Sequence, residues 1–129
     1  MPTIEVRSTS RRQMVDITAR VASAVAESGA EHGLCHIFVR HTTAAVTVNE
    51  NADPDVPRDL LAAFEAMIPP VHFHHAEGNS DAHLMSSLIG ESVTLPIGGG
   101  RLVLGTWQGV FFVELDGPRS RRVHVTVLS

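Results

Sequence analysis

The sequence has few of the features that stabilise secreted or membrane proteins. Cys35 is the only cysteine among 129 residues, which excludes an internal disulfide framework and fits a reducing compartment. The longest apolar runs are far shorter than a bilayer span. The first ten residues, MPTIEVRSTS, lack the apolar segment of a signal peptide. We therefore expect a cytoplasmic protein with no membrane partner.

A large charge excess and the common nucleotide-binding motifs are also missing. The net charge is −4 and the pI is about 6.0, which predicts no nucleic-acid partner. There is no Walker A loop, no dinucleotide-binding G-x-G-x-x-G after a strand and no G-x-S-x-G elbow. The balance of 43% hydrophobic and 19% charged residues is typical of a globular protein. The length predicts a single domain over residues 1–129.

Apolar periodicity predicts three helices and seven strands. Met14, Ile17, Val21 and Val25 recur at three- and four-residue steps, which indicates an amphipathic helix. The predicted helices are Gln13–Ala26, Pro57–Ile68 and Asp81–Ile89. The predicted strands are Thr3–Arg7, Leu34–Arg40, Ala44–Val48, Glu91–Ile97, Arg101–Leu104, Val110–Leu115 and Arg122–Leu128.

The last four strands follow one another with short connections. Because a parallel crossover needs about a dozen residues or more, these strands are predicted to be antiparallel neighbours. The predicted fold class is α+β, a mostly antiparallel sheet or sandwich with about three helices on its faces.

Histidines are concentrated in one segment. Four of the eight, His72, His74, His75 and His83, fall within PPVHFHHAEGNSDAH together with Glu77. Two histidines in an HxH pattern point to the same side of an extended chain. Imidazole and carboxylate groups suit zinc and other divalent first-row metals. The segment is therefore a candidate metal site, and the alternative is a solvated loop in which the histidines have no function.

A second polar cluster, NENADPD, follows a predicted strand and precedes a predicted helix. Asp53 or Asp55 could cap that helix. One acidic residue suffices for capping, however, and this loop has three. Gathered carboxylates repel one another unless a cation or a substrate relieves the repulsion. For Asp53 the sequence leaves capping and a functional role equally open.

Three further features stand alone. Alternation places His41 on the same face as the core-facing Cys35, Ile37 and Val39, and a histidine at a strand end is usually structural. Trp107 is either a core anchor or a wall of the site, whereas Gln108 beside it needs several hydrogen-bond partners if it is buried. The late arginines form a solvated hairpin or a phosphate site; they are Arg119, Arg121 and Arg122.

The segments HTTAAVTVNENADPDVPRDL, HHAEGNSDAHLMSSLIGESVTLPIGGGRLVLGTWQG and RRVHVTV resemble the YjbQ-like proteins, a family described as secondary thiamine-phosphate synthases. The resemblance runs from about Thr3 to the C-terminus. It implies a β-rich α+β fold, a homotrimer and a site between subunits. Thr42-Thr43-Ala44 stands where relatives often have Thr-Ser-Ala, a change that keeps the hydroxyl.

The resemblance also implies a set of site residues. It places a divalent metal, zinc or alternatively magnesium, on His41, His74 and His83. The implied catalytic residues are Asn49, Glu50, Asp53, Glu77 and Gln108. The implied substrate-binding residues are Thr42, Thr43, Trp107 and Arg121. Within this set we expect Asp53 and Glu77 to orient a histidine N–H or a metal-bound water, without binding the metal directly.

The residues and the resemblance together lead us to expect one of two functions. The first is an enzyme acting on a small phosphorylated metabolite, by resemblance a thiamine-phosphate synthase that joins a pyrimidine diphosphate to a thiazole phosphate with release of pyrophosphate. A metal-dependent hydrolase is a variant of this interpretation. The second is a trimeric module that binds a metal or an anion and has no such activity. An open coordination position would distinguish a catalytic metal from a structural one.

Overall fold

Two antiparallel sheets and three helices make up the fold in the computed structural model, which describes residues 2–129. The strands are β1 (Thr3–Arg7), β2 (Gln13–Asp16), β3 (His32–Val39), β4 (Ala44–Glu50), β5 (Ser92–Gly98), β6 (Arg101–Leu102), β7 (Gln108–Glu114) and β8 (Ser120–Leu128). The helices are α1 (Thr18–Ser28), α2 (Asp55–Ala66) and α3 (Ser80–Ile89).

The strands divide into a five-stranded sheet, β1-β8-β3-β5-β6, and a three-stranded sheet, β2-β7-β4. Every pairing in the two sheets is antiparallel. The predicted α+β class with antiparallel sheets and three helices is therefore confirmed.

Both faces of the three-stranded sheet are buried. The larger core joins Val46 and Phe112 of this sheet to Ile37 and Val123 of the five-stranded sheet, and α1 packs into the same core. The smaller core lies where α3 covers the opposite face of β4 and β7. Because both faces of the sheet are covered, every residue of β7 from Gly109 to Glu114 is buried. A continuous apolar run is typical of a strand that is buried on both faces.

The helix predicted over Gln13–Ala26 is wrong in its first five residues, since α1 begins at Thr18. Gln13–Asp16 forms strand β2, which pairs with β7 in the register Gln13↔Glu114 to Asp16↔Phe111. Met14 packs against the smaller core and Val15 against the larger one, so the true period of this segment is two. The side chain of Asp16 then accepts hydrogen bonds from the Thr18 N–H (2.9 Å) and hydroxyl, which ends the strand and begins α1.

The prediction that the last four strands are all neighbours is also wrong. Only β5 and β6 pair, because β7 crosses into the three-stranded sheet and β8 returns to lie between β1 and β3. Short connections are compatible with this path since they join the two layers of a sandwich instead of adjacent strands. The crossing brings the end of β7 close to the beginning of β8, where the candidate site lies.

The predicted alternation along β3 is confirmed. Cys35, Ile37 and Val39 are buried, whereas Leu34 and Phe38 on the opposite face are 45% and 40% exposed. Burial also raises the pKa of the Cys35 thiol, which agrees with its being a poor nucleophile. Within residues 2–129, no helix has both the length and the apolar character that a membrane span requires.

Candidate functional site

An open cleft of about 480 Å³ lies where β3 ends and β8 begins. Its walls come from the residues that follow β3, including His41, Thr42 and Thr43, and from Arg119 and Arg121. These segments are close because β3 and β8 are paired up to Val39 opposite Val123. The cleft thus brings together four of the site residues that the resemblance implied, His41, Thr42, Thr43 and Arg121, with Arg119 of the late arginine cluster.

Arg121 is buried at the base of the cleft, with 3% of its side chain exposed. Its Nε donates to Glu114 Oε1 at 3.0 Å, and its Nη2 donates to the Thr43 carbonyl at 3.1 Å and the Thr43 hydroxyl at 2.9 Å. Nη2 also pairs with Glu114 Oε2. Among residues 2–129, Nη1 has no hydrogen-bond partner, so it is the nitrogen left for a ligand in the cleft.

Glu114 is completely buried and allows the charge of Arg121 to be buried beside it, because a buried charge needs a hydrogen-bonded partner. Besides Arg121, it accepts from the Ser8 hydroxyl at 2.7 Å and from the backbone N–H groups of Leu115 and Asp116 at 3.1 Å. Burial opposes ionisation, but the hydrogen bonds from Arg121 and Ser8 outweigh it and lower the pKa of Glu114. The carboxylate is therefore ionised at neutral pH.

Gly117 allows the chain to pass close to this ion pair. A Cβ there would lie 2.5 Å from the Ser10 carbonyl oxygen, 2.6 Å from Ser8 Oγ and 2.8 Å from Glu114 Cγ. These atoms belong to the backbone or to Ser8 and Glu114, which hydrogen-bond to each other beside Arg121. A side chain at this position would therefore displace the groups that hold Arg121.

The cleft is rich in guanidinium groups. Three arginines line it, Arg40, Arg119 and Arg121, against one lining carboxylate, Glu91. The buried Glu114 offsets the charge of Arg121, and the exposed Arg119 pairs with Asp116 at 3.1 Å. Arg40 then stands against Glu91, so the charges of the cleft are balanced. Its guanidinium groups, next to the hydroxyls of Thr42 and Thr43, are of the type that binds phosphate or carboxylate.

His41 follows β3 and lines the cleft. Its Nε2 accepts a hydrogen bond from the backbone N–H of Arg122 at 3.0 Å. Burial and the nearby charge of Arg121 lower the pKa of His41, and Glu114 offsets only part of this effect. The imidazole is consequently neutral at pH 7.

Asp116 links this cleft to the segment that carries the histidines. Its Oδ2 accepts from Arg119 Nη2 at 3.1 Å and from Asn79 Nδ2 at 2.9 Å, and Asn79 precedes α3. Arg12 pairs with Asp81 in the first turn of the same helix. The beginning of α3 is therefore anchored close to the cleft, although its histidines do not line it.

The histidine segment forms two ring pairs. His72 and His74 have ring centroids 5.0 Å apart, in agreement with the same-side geometry expected of HxH. His83, in α3, contacts His75 at 5.3 Å, so the histidine paired with His83 is not the His74 that the resemblance implied. Glu77 is exposed in the turn between these pairs.

One chain does not assemble the expected metal site. In the described part of the chain, no group of three or more His, Cys, Asp or Glu side chains is placed to hold one ion. His41, His74 and His83 therefore do not form a three-histidine centre within a single subunit. The ring pairs supply at most two histidine ligands each.

The NENADPD loop lies at the other end of β4 from His41. The chain passes from His41 into β4 at Ala44 and leaves it after Glu50, which is about 20 Å for six residues of extended strand. Asn49 Oδ1 accepts from the Glu50 N–H at 2.7 Å, and Asp53 Oδ1 accepts from the Asp55 N–H at 2.9 Å. Asp53 thus forms the turn that leads into α2, but the N-cap residue is Pro54 and no side chain caps the helix, so the capping alternative is not confirmed.

Trp107 and Gln108 lie beside this loop, at the start of β7. Trp107 is 63% exposed, so it is not a core anchor. Gln108 Oε1 accepts from the Gly105 N–H at 2.8 Å. The side chain of Asn51 lies against Gly109, where a Cβ would be only 2.4 Å from Asn51 Nδ2. In this position Asn51 Nδ2 donates a hydrogen bond to Asp16 Oδ2 at 3.2 Å.

Four of the residues that build the cleft were not predicted as site residues from the sequence. They are Ser8, Glu114, Asp116 and Arg119, of which only Arg119 stood out, as part of an arginine cluster. Glu114 offered a signal, since a carboxylate inside the apolar run VFFVEL is rare unless it is paired. Ser8 offered none, because its partner is 106 residues away.

The fold and the cleft define a class: α+β sandwich proteins with a buried arginine–glutamate pair at the base of an arginine-lined cleft. The family model described as UPF0047 protein YjbQ-like matches residues 2–129. The chain belongs to this family.

Relatives of known sequence and structure agree with that assignment. UPF0047 protein MJ1081 of Methanocaldococcus jannaschii is 47% identical over 125 residues, covering 96% of this chain and 91% of the relative. The crystal structure of an uncharacterised YjbQ/UPF0047 family protein from Clostridium acetobutylicum is 46% identical, with a TM-score of 0.96 over 99% of this chain and 100% of that one. A protein of unknown function from Sulfolobus solfataricus is 38% identical, with a TM-score of 0.93 over 99% and 95% of the two chains.

Proposed function

We propose that this protein is an enzyme that binds a small phosphorylated metabolite, with a phosphate group in the cleft between His41 and Arg121. The observation that supports this proposal is the fixed guanidinium of Arg121, which Glu114 and Thr43 hold through Nε and Nη2 while Nη1 stays uncommitted. A group held in this way loses little conformational entropy when it binds an anion. The exposed Arg40 and Arg119 add two guanidinium groups at the rim of the cleft, and Arg119 is also paired with Asp116.

The reaction that we propose, by family resemblance, is thiamine-phosphate synthesis. The thiazole nitrogen attacks the methylene carbon of a hydroxymethylpyrimidine diphosphate, the new C–N bond forms, and the C–O bond to diphosphate breaks with its electrons leaving on pyrophosphate. Guanidinium groups favour this step by stabilising the charge that develops on the leaving oxygens. A divalent cation, zinc or magnesium, would supply further stabilisation of the diphosphate.

A homotrimer would complete the proposed site. His41 and the NENADPD loop lie at opposite ends of β4, about 20 Å apart along the strand, which supports a site that takes them from different subunits. In a closed ring each subunit presents two different surfaces to its neighbours, and such an interface joins residues that are distant within a chain. This arrangement would unite Asn49, Glu50, Asp53, Trp107 and Gln108 of one subunit with the cleft of the next.

Binding of inorganic phosphate and pyrophosphate, followed by calorimetry, tests the anion site. We expect Arg119→Gln to weaken binding by about tenfold, because a hydrogen bond to a charged group contributes about 1.5 kcal/mol or more. The matched control is Arg58→Gln, which removes an exposed arginine of α2 that is outside the cleft. Equal binding by wild type and both variants would contradict the proposal.

The reaction itself needs a separate assay. Protein with Mg²⁺ or Zn²⁺ is mixed with the pyrimidine diphosphate and the thiazole phosphate, and thiamine phosphate and pyrophosphate are quantified together. Equimolar formation of the two products is the expected result. If pyrophosphate binds but no product forms with either Mg²⁺ or Zn²⁺, the result would favour the binding module over the synthase.

A second candidate function is a zinc-dependent hydrolase centred on His75 and His83, and the ring geometry favours it. Two imidazoles on one tetrahedral zinc ion, with Zn–N distances of about 2.0–2.1 Å, have ring centroids about 5 Å apart. The separations of 5.3 Å for His75–His83 and 5.0 Å for His72–His74 are both close to this value. We centre the proposal on the pair that contains His83, which the family resemblance implies as a metal ligand. The remaining ligands would come from water or from a neighbouring subunit.

Zinc titration of paired variants tests this candidate. The double variant His75→Ala/His83→Ala is expected to lose zinc binding. The matched control is His72→Ala/His74→Ala, which removes the other ring pair at 5.0 Å. Loss of zinc in the control and retention in the first variant would reverse the assignment, and retention in both would exclude the segment as a metal site.

A further inference from the structure

His41 closes the hydrogen-bond ladder between β3 and β8. The last residue of β3 that pairs with β8 is Val39, opposite Val123. The residue before Val123 in β8 is Arg122, and its backbone N–H has no partner in β3. The imidazole Nε2 of His41 accepts a hydrogen bond from this N–H at 3.0 Å. The ring is therefore held by the backbone, independently of any side chain that could move.

This contact selects one tautomer. A neutral imidazole has one nitrogen with a lone pair and one that carries hydrogen. Because Nε2 must present its lone pair to the Arg122 N–H, the hydrogen lies on Nδ1. Within residues 2–129 Nδ1 has no hydrogen-bond partner, and the ring forms part of the cleft wall.

The same contact opposes coordination of a metal. Metal binding through Nδ1 would require its lone pair, so the hydrogen would move to Nε2 and face the Arg122 N–H at 3.0 Å. Two donors would then oppose each other, and a backbone N–H at the end of a strand would lose its acceptor. Metal binding through Nε2 would remove that acceptor directly.

We propose that His41 is a fixed N–H donor to the bound anion through Nδ1, oriented by the backbone N–H of Arg122, and that it is not a metal ligand. This inference rests on the proposed function, since it assigns a role within the same anion site. It separates His41 from the metal set that the family resemblance implied. His41 and Arg121 would then bind the same phosphate group, one through Nδ1–H and the other through Nη1.

Two-bond ¹H–¹⁵N correlation spectra of the ¹⁵N-labelled full-length protein test the tautomer directly. For His41 we expect a protonated Nδ1 and an unprotonated Nε2. Added inorganic phosphate should shift Nδ1, and added Zn²⁺ should leave both nitrogens unchanged. A protonated Nε2, or a response of either His41 nitrogen to Zn²⁺, would overturn the inference.

Phosphate titrations of three variants test the donor role. His41→Phe keeps a ring but has no donor, and should bind phosphate about tenfold to a hundredfold more weakly. His41→Asn places an amide nitrogen near the position of Nδ1 and should retain most of the affinity. His32→Phe, a change at an exposed histidine at the start of β3, is the matched control and should bind as wild type does.

The outcomes distinguish this inference from the proposed function. If wild type and His41→Phe bind phosphate equally, the donor role is wrong and the anion site stands. If wild type binds neither phosphate nor pyrophosphate, the proposed function fails and the donor role fails with it. The tautomer measurement on wild type gives its answer even if His41→Phe does not fold.

Discussion

The Arg121 cleft and the histidine segment from His72 to His83 both hold groups of ionisable side chains, and the two regions are built in opposite ways. In the cleft, Arg121 and Glu114 are buried, and their hydrogen bonds to Thr43 and Ser8 join segments that are 78 and 106 residues apart. In the segment, His72, His74 and His75 are exposed and contact other histidines nearby in sequence. Buried charges must be paired to be tolerated, whereas exposed imidazoles impose no such condition.

Because of this difference, the two regions should respond differently to mutation. Disruption of the cleft network should affect folding as well as binding, because the network joins β7, β8 and the residues after β1 and β3. Substitutions in the segment should affect metal binding and leave folding unchanged.

The largest expected effect is that of Glu114→Ala. It leaves the Arg121 guanidinium buried without its carboxylate and opens a cavity, so the free energy of unfolding should fall by about 3–5 kcal/mol. Urea denaturation followed by circular dichroism measures this loss. The double variant Glu114→Ala/Arg121→Met is the control, since it removes the unpaired charge. If the double variant is no more stable than the single one, the loss does not arise from the stranded charge.

Acid should weaken the same network, by less than the alanine variant because a protonated carboxyl keeps its shape. The folded-state pKa of Glu114 is lowered, so its contribution is present above its ordinary pKa of about 4.5 and is lost as the pH falls through the folded value. The folded-state pKa of His41 is also lowered, so the unfolded chain binds this proton more readily and stability also falls as the pH drops below the ordinary pKa of about 6.5. Unfolding curves between pH 7 and pH 3 should therefore show falling stability. Glu114→Gln should flatten the lower part of the profile, and an unchanged slope would contradict the assignment.

Ser8→Ala should have an intermediate effect. The Ser8 hydroxyl donates to Glu114 at 2.7 Å, and a hydrogen bond to a charged group contributes about 1.5–3 kcal/mol. Ser10→Ala is a control in the same segment, where the side chain is exposed. Thermal unfolding that shows equal losses in the two variants would mean that the hydroxyl of Ser8 adds no specific stabilisation.

The smallest effect on stability is expected in the histidine segment. His74→Ala removes an exposed ring that contacts only its neighbour His72 in the described aromatic pairs, so the melting temperature without metal should equal that of wild type. A clear decrease would show that the segment packs as tightly as the cleft. The two regions would then not differ as the structure indicates.

Much of the fold could be predicted because its elements have strong local periodicity. Thr3–Arg7 alternates and forms β1 with the predicted bounds, and α2 and α3 lie within two residues of the predicted ranges. The helix prediction failed over Gln13–Asp16 because four residues of a strand can also fit a helical period when a helix follows directly. Only pairing with β7 decides between the two, and pairing is a property of the whole sheet.

Less of the candidate site could be predicted. Arg121, Thr42 and Thr43 were identified through resemblance, and the structure brings them to one cleft with His41. The expected meeting of His41 with Asn49 and Asp53 does not occur within one chain, because β4 separates them. Glu114 and Ser8 carry the electrostatics of the cleft, and no local pattern connects residues that are 106 positions apart.

By itself the sequence determined the α+β class, most of the strands and helices, the alternation that buries Cys35, Ile37 and Val39, and the family. These features depend on local periodicity and on motifs that can be read along the chain. Only the tertiary structure decided that Arg121 is buried on Glu114, that His83 contacts His75, and that Arg122 orients His41. The reason is that burial, charge pairing and the choice of an imidazole tautomer depend on which groups come within about 3 Å of each other. In this chain the packing of the strands decides this, since Arg121 and Glu114 lie on strands that belong to different sheets and Arg122 is 81 residues from His41.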